Sequence, residues 1–505
     1  MRIISADSMR EVDAKTIASG TPGEVLMERA GKAAAEEILK FLYRYPCRHQ
    51  KRIVILTGKG NNGGDGFVMA RYFKEVGRNV FIQMICQPEI LKGDALLNYE
   101  RVKDMESIVV EDGNFSFEKG DVIIDCLLGT GIQSKLKEPF LNAVISINNS
   151  GCPVIAVDIP SGLNGNDGEI MLEAVQADLT VSIGAVKTGN VSGPGAYKNG
   201  CIRLAEIGFE KSLIDEFDTT GEAFMIQDAA EFLGRSNPQN HKYTAGNVLV
   251  IGGSKNYMGA PFLSAAAALK SGAGMVNTII PDIRGSFSRK YMAPVVTPLS
   301  SREGAFGYLA AKEVVNYFSK KCVIAIGPGF CEAPGETEMI KEAAATNYPL
   351  IIDAGALTTG IKLKEIQNRT AGVLMTPHEG ELKRMAEAVN ITAGSSEEIA
   401  SLIAKTYGLY LILKGRNSRL FCPDGDILIN TSGNSGLATC GSGDVLTGMC
   451  AAFTASFDCL KKGALTAMFL HGLTSELSPN GIRGTIADDL VELIPSAIKE
   501  VSPFA

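Results

Sequence analysis

The chain is short of several features that mark whole classes of protein. Its 505 residues hold 49 Lys plus Arg against 56 Asp plus Glu, a net charge of −7. That balance offers no counter-charge to a phosphate backbone, so nucleic acid is not an expected partner. No apolar run approaches the ~20 residues of a membrane-spanning helix, so no membrane partner is expected either. The opening MRIISADSMREVD lacks a basic region leading into an apolar stretch, and no secretory signal is expected. The 11 cysteines include no CxxC pair, and several, such as Cys126, Cys152 and Cys322, sit in apolar stretches. Buried thiols of this kind suit a reducing, cytoplasmic compartment. The 4 histidines (His49, His241, His378 and His471) are too few for a multi-His metal centre. Hydrophobic residues at 45% and charged residues at 21% exclude wholesale disorder.

Glycine is the residue in excess, 55 in all, about 11% against a usual ~7%. The glycines gather at the ends of short apolar runs, where they read as ligand loops. In the first half, strands are expected at 52–57, 80–85, 122–126, 154–158, 179–183 and 202–206. Helices are expected at 66–76, 95–105 and 138–148, after two N-terminal helices, one capped by Ser5 and one opening at Thr21-Pro22-Gly23-Glu24. The second half repeats the alternation, with strands at 247–251, 275–280, 322–326, 350–353, 372–375 and 409–414. Helices are expected there at 259–271, 443–456, 461–477 and 487–501. Alternating strands and helices imply parallel sheets covered on both faces. The polar EKSLIDEFDTTG breaks the pattern, so domains are expected at 1–213 and 225–505, joined by a linker at 214–224.

Three loops of the first half carry chemistry. The strand at 52–57 runs into GKGNNGGDGF, a glycine-rich turn leading to a helix, where exposed N–H groups suit phosphate. It is not GxGxxG, which disfavours hydride transfer on a standard dinucleotide site. DCLLGTG places Asp125 at a strand end, and VDIPSG places Asp158 and Ser161 at another. Acids beside glycine loops can hold a cation or move a proton. In this order and spacing, NNGGDG, DCLLGTG and VDIPSG resemble the YjeF N-terminal domain, the NAD(P)H-hydrate epimerase family. The resemblance implies potassium held by Asn62, Asp125 and Ser161. It implies hydrate contacts from Asn61, Asn62, Gly63, Gly64 and Asp65, from Gly129, Thr130, Gly131, Ile132, Gln133, Ser134 and Lys135, and from Asp158. Inverting a carbinolamine carbon needs an acid for the departing hydroxyl and a base for water; Asp158 and Lys135 are the candidates.

In the second half, NSGLATCGSGDVLTG puts small residues ahead of a helix beginning near Gly443. Exposed N–H groups and the helix dipole make an anion hole there, and Asp444 can take the proton of an attacking hydroxyl. GSGD resembles the GxGD element of the ribokinase-like superfamily. VIGGSKNYMGAP, IGPGF, DAGAL, TPHEGE and LKGRNS narrow the resemblance to the YjeF C-terminal domain, the ADP- or ATP-dependent NAD(P)H-hydrate dehydratase. It implies hydrate contacts from Ala260, Gly329, His378 and Asp444. It implies nucleotide contacts from Lys414, Gly415, Arg416, Asn417 and Ser418, and from Asn434, Gly436, Leu437, Ala438, Thr439, Cys440, Gly441, Ser442 and Gly443. Magnesium should accompany the nucleotide. Cys440 stands where the family usually has glycine or proline, and Arg416 adds a charge to the nucleotide strand.

The expectation is therefore α/β, with an N-terminal Rossmann-like doubly wound sheet and a C-terminal ribokinase-like α/β/α sandwich. The expected protein is a bifunctional repair enzyme, epimerising R and S NADHX and NADPHX and dehydrating the S form with ADP or ATP. It is expected to be a homo-oligomer. The rival reading is a small-molecule kinase of the hydroxymethylpyrimidine or hydroxyethylthiazole type with a non-catalytic, nucleotide-binding N-terminal scaffold. Net phosphorylation of a stable product would favour it.

Overall fold

The computed structural model describes residues 1–44, 52–105, 107–110, 115–236, 238–239, 241–283, 290–318, 322–367, 369–392 and 394–505; His49 lies outside them. The chain forms two compact units, Met1–Ala223 and Phe224–Ala505. The first runs on past residue 213 because the acidic stretch contains a short helix, Lys211–Asp215. Its Ile214 is buried against Ile4, Met9, Val12 and Ala185.

Seven parallel strands build the first unit: β1 (Arg52–Thr57), β2 (Val80–Met84), β3 (Ile108–Val110), β4 (Asp121–Cys126), β5 (Val154–Val157), β6 (Leu179–Ile183) and β7 (Cys201–Ala205). Their order is β3-β2-β1-β4-β5-β6-β7, the doubly wound arrangement. Alternate side chains of the strands serve two cores. Ile53, Ile55, Val122 and Ile124 pack on one face, and Val54, Leu56 and Ile123 on the other. Three helices matter for the site: α1 (Ala6–Ala18), α2 (Gly23–Arg44) and α3 (Asn61–Glu75). Ser5 caps α1 as expected, its hydroxyl accepting from the Ser8 amide. α3 begins at Asn61, five residues before the expected start at Gly66, so NNGGDG is the opening of the helix rather than a loop before it. Glycine makes this possible. A Cβ on Gly63 would lie 2.1 Å from the Gly58 carbonyl oxygen, and one on Gly58 would lie 1.9 Å from that of Leu127.

A ten-stranded sheet belongs to the second unit, apart from Glu222 and Ala223 of its edge strand, the last residues of the first. Its strands are β8 (Glu222–Phe224), β9 (Asn247–Ile251), β10 (Met275–Pro281), β11 (Val295–Leu299), β14 (Cys322–Ile326), β15 (Leu350–Ile352), β16 (Val373–Met375), β17 (Tyr410–Leu413), β18 (Arg419–Phe421) and β19 (Ile427–Asn430). Two short strands, β12 (Ser301–Arg302) and β13 (Ala305–Phe306), form a separate hairpin. The order is β11-β10-β9-β14-β15-β16-β17-β18-β19-β8, and β18 lies antiparallel to both β17 and β19. Val248, Val250 and Val323 face one core, which contains the helices 259–270, 442–457, 460–476 and 487–501. Leu249, Ile251 and Ile324 face a second core on the other side. That is the expected α/β/α sandwich. Ala265–Ala268 are all buried in the first of these cores. Small side chains are needed there because the neighbouring helix comes close: a Cβ on Gly448 would lie 2.0 Å from the Ser264 carbonyl oxygen.

Candidate active sites

In the first unit, strand order reverses between β1 and β4, and ligands of such sheets bind beyond the strand ends at that point. Asn62, Asp125 and Ser161 meet there, all buried. The Asp125 carboxylate accepts from the Ser161 hydroxyl at 2.6 Å, the Ser161 amide at 2.8 Å and the Leu127 amide at 3.2 Å. Burial still outweighs these bonds and pushes Asp125 up to about 6. The Asn62 amide nitrogen donates to the Leu128 carbonyl at 3.0 Å and the Val157 carbonyl at 3.3 Å. Its Oδ1 is buried without a partner. A buried carboxylate short of positive charge beside an orphaned amide oxygen is a donor set that a monovalent cation would complete.

Asp158 follows β5 in the left-handed region, φ 68°, where few non-glycine residues sit. Three bonds hold it there. Its amide donates to the Val181 carbonyl at 2.7 Å, the Ile183 amide donates to its Oδ1 at 3.2 Å, and its Oδ1 forms an ion pair with Lys187. Lys187 is 1% exposed, and its ammonium also donates to the Ile183 carbonyl at 2.6 Å. The lysine on Asp158 is Lys187; Lys135, the other acid–base candidate, is exposed on its loop. Within that loop Gly129, Thr130 and Ile132 are half-buried, while Gly131, Gln133 and Ser134 are exposed. Gly129 packs on Asn62, since a Cβ there would lie 3.4 Å from the Asn62 Cβ. In the first turn of α3, Asn61 is exposed, whereas Gly63, Gly64 and Asp65 are buried. Burial, then the nearby Asp158 and Asp13, push Asp65 well above the usual carboxylate range.

The second unit gathers its chemistry at the open end of the helix 442–457. Gly441 precedes it with φ 87°, a left-handed residue at which the chain turns into the helix. Asp444 lies in that turn. Burial, then Asp353, push its carboxyl up to about 7, with Lys414 opposing and Glu381 adding. Lys414 sits at the end of β17, its ammonium 3.0 Å from Asp353 Oδ1 and 3.5 Å from Glu381 Oε2. Burial by itself would depress Lys414, but the two carboxylates outweigh it and raise it. The same ammonium would stand 3.3 Å from a Cβ on Gly443, so it reaches the anion hole. Asp353 is fixed from its other side by the Thr447 hydroxyl at 2.7 Å.

His378 caps the helix Glu379–Ala388, its Nδ1 accepting from the Gly380 amide at 3.1 Å and the Glu381 amide at 3.3 Å. Its Nε2 lies 3.6 Å from Glu381 Oε2. Ala260 lies at the start of the helix 259–270, and Gly329 in the turn after β14 with φ 77°. Arg416 donates to the Gly433 carbonyl at 3.0 Å, next to Asn434. Asn417 has φ 50° and donates to the Asn430 carbonyl at 3.0 Å, and the Ser418 hydroxyl closes the turn on the Gly415 carbonyl at 3.0 Å. Asn434 accepts from the Gly436 amide at 2.8 Å. Leu437 and Thr439 are half-buried, and Ala438 and Cys440 exposed. Beneath Ser442 lies His471, its Nε2 3.1 Å from the Ser442 hydroxyl. Burial pushes His471 down to about 4, so it is neutral near pH 7.

Residues 248–496 match the family model described as NAD(P)H-hydrate dehydratase, and residues 23–189 match the YjeF-related protein N-terminus. The bifunctional NAD(P)H-hydrate repair enzyme of Archaeoglobus fulgidus is 32% identical over 511 residues, 100% of each chain. That of Thermofilum pendens is 32% identical over 498 residues, 95% of this chain and 93% of its own. The chain belongs to the bifunctional NAD(P)H-hydrate repair enzyme family. Among solved structures, the Bacillus subtilis ADP/ATP-dependent NAD(P)H-hydrate dehydratase co-crystallized with ATP/Mg2+ is 26% identical. It aligns with a TM-score of 0.47, over 56% of this chain and 100% of that one.

Several residues at this family member's two sites lay outside the sequence reading: Lys187 and Asp13 in the first unit, and Asp353, Glu381, Thr447 and His471 in the second. Asp353 and Glu381 sat in quoted motifs, DAGAL and TPHEGE, but only the fold puts both on Lys414. KTGN, which carries Lys187, shows no glycine-rich strand end to mark it. Asn190 of that segment donates to the Asp158 carbonyl at 3.4 Å and to Asn199 Oδ1 at 2.9 Å. No helix among the described residues is long and apolar enough to cross a membrane.

Proposed function

We propose that the chain repairs hydrated NADH and NADPH in two steps, one in each unit. The first unit interconverts the R and S epimers of NADHX and NADPHX. The second dehydrates the S epimer with ADP or ATP. The observation that carries this reading is the Asp444 carboxyl in the first turn of an open helix end, with the Lys414 ammonium reaching the same turn. There the exposed amides can hold a transferring phosphoryl group while Asp444 takes the proton of the hydrate hydroxyl. The phosphorylated oxygen is a good leaving group. The ring-nitrogen lone pair expels phosphate, and loss of a proton from the adjacent ring carbon restores the dihydropyridine. The segments Lys414–Ser418 and Asn434–Gly443 are assigned to the nucleotide, and Ala260, Gly329 and His378 to the hydrate.

Among the described residues no cluster of three or more His, Cys, Asp and Glu is poised for a metal. Asp353 and Glu381 are engaged by Lys414. A magnesium ion would come in on the nucleotide phosphates. When bound, it supplies charge neutralisation for those phosphates. In the first unit we assign potassium to Asn62, Asp125 and Ser161, on the strength of the orphaned Asn62 Oδ1 and the under-compensated Asp125. When bound, it supplies the missing positive charge.

The test is near-ultraviolet absorbance of a mixed R and S NADHX sample with the full chain, magnesium, potassium and either ADP or ATP. Full recovery of NADH is expected. Recovery that stops at the S fraction would refute the epimerase half. A stable phosphorylated product without NADH would refute the dehydratase half and identify a small-molecule kinase.

A further inference from the structure

α1 lies over the epimerase site and outside the matched family segment, which starts at residue 23. Arg10 donates to the Thr130 carbonyl at 3.3 Å, on the Gly129–Lys135 loop. The Asp7 amide donates to Asn166 Oδ1 at 3.1 Å. Ahead of α1, Ile4 runs beside Lys187, with the Ile4 amide 3.2 Å from the Val186 carbonyl and the Thr188 amide 2.9 Å from the Ile4 carbonyl. The buried face of α1 presents Met9, Val12 and Thr16. Asp13 falls in the same helical stripe, where an amphipathic helix would place an apolar residue. A carboxyl there is costly unless it serves a purpose.

Asp13 interacts electrostatically with Lys187 and Asp158, and Asp65 with all three. From the other element packed on α1, the short helix at 211–215, the neighbouring Glu216 is engaged by Lys15. Lys187 is committed to Asp158. Asp65 is buried, 8% exposed. Three carboxyl groups thus share one ammonium, and such a cluster retains protons that a solvated one would shed.

Resting on the epimerase reading of this site, we propose that Asp13 is a further catalytic residue, the carboxylic acid that protonates the departing hydroxyl. The C–O bond breaks as the Asp13 proton passes to that oxygen, which leaves as water. The ring-nitrogen lone pair forms the C=N bond. Water then adds to the same carbon from the other face, and the Asp158 carboxylate takes its surplus proton. Return of that proton from Asp158 to Asp13, with Asp65 as carrier, resets the site. No oxidant, reductant or further reactant is consumed.

The test uses the full chain with R-NADHX, the dehydratase half reporting each S molecule as NADH. In the native chain kcat/KM for epimerisation should fall as pH rises past about 6, where Asp13 ionises. Asp13→Asn should lower kcat roughly 100-fold, leave KM and the dehydration of S-NADHX unchanged, and abolish that alkaline fall. Native kcat, or a reduced kcat with the native pH profile, overturns the proposal. Where Asp13→Asn no longer binds substrate, Asp13→Glu decides. An alkaline fall at a shifted pH supports the acid role, and its loss overturns it. Asp158→Asn separates the two readings, because full epimerase activity in that variant would remove the site itself, whatever Asp13 does.

Discussion

Replacing Asp444 by Asn should stabilise the protein while disabling it, and the size of the gain should depend on pH. The folded state holds this carboxyl at about 7 against an ordinary 3.8, chiefly because it is buried. Below pH 3.8 both folded and unfolded chains carry the proton, and the group has no effect. As pH rises through the ordinary value, the unfolded chain ionises and the folded one does not, so stability is lost until the folded carboxyl also ionises near pH 7. At about 1.4 kcal/mol per unit, the burden is about 2 kcal/mol at pH 5 and at most about 4 kcal/mol at pH 8. Asparagine carries none of it. The variant's advantage over the native chain should therefore grow by about 2 kcal/mol between those pH values. Urea unfolding of the full chain, followed by far-ultraviolet circular dichroism because the chain has no tryptophan, reads the difference. Dehydration should fall by at least roughly 100-fold in the same variant. In the native chain, kcat/KM for dehydration should rise about tenfold from pH 6 to pH 8 as the base ionises. An advantage that does not grow with pH would refute the burial argument, and a variant that still dehydrates S-NADHX would remove Asp444 as the base.

Asn62→Ala deletes the orphaned acceptor, and epimerisation should then need roughly tenfold more potassium for half-maximal rate, about 1.4 kcal/mol; an unchanged potassium titration refutes the cation site. Lys414→Met removes the ammonium shared by Asp353 and Glu381, so kcat for dehydration should drop at least roughly 100-fold while R-to-S epimerisation, followed by chromatography, is untouched. Arg369 donates to the Ala343 and Ala344 carbonyls at 3.1 and 2.5 Å, closing the end of the helix Pro334–Ala345. Arg369→Ala should cost about 1–2 kcal/mol in urea unfolding with no change in either kcat.

Most strands were legible because parallel strands buried on both faces are continuous apolar runs. β1, β6, β9 and β14 fall where RIVILT, LTVSI, NVLVI and CVIAI stand. The helices Pro334–Ala345 and Ser396–Tyr407 were not read, nor was the antiparallel pair β18 and β19. β18 and β19 are only three and four residues long, too short to show a period. The start of α3 was misplaced because glycine usually ends helices. Here close backbone approach, rather than propensity, explains the glycines.

By itself the sequence determined the two α/β halves, the strand-end motifs and the family they resemble, since apolar runs and glycine-rich turns are local signals. Only the tertiary structure decided which charges meet. Lys187 stands 29 residues from Asp158, and Lys414 61 residues from Asp353. No local pattern links such positions. They come together because parallel strands deliver their carboxyl ends to one edge, where burial strengthens each charge and sets which carboxyl keeps its proton.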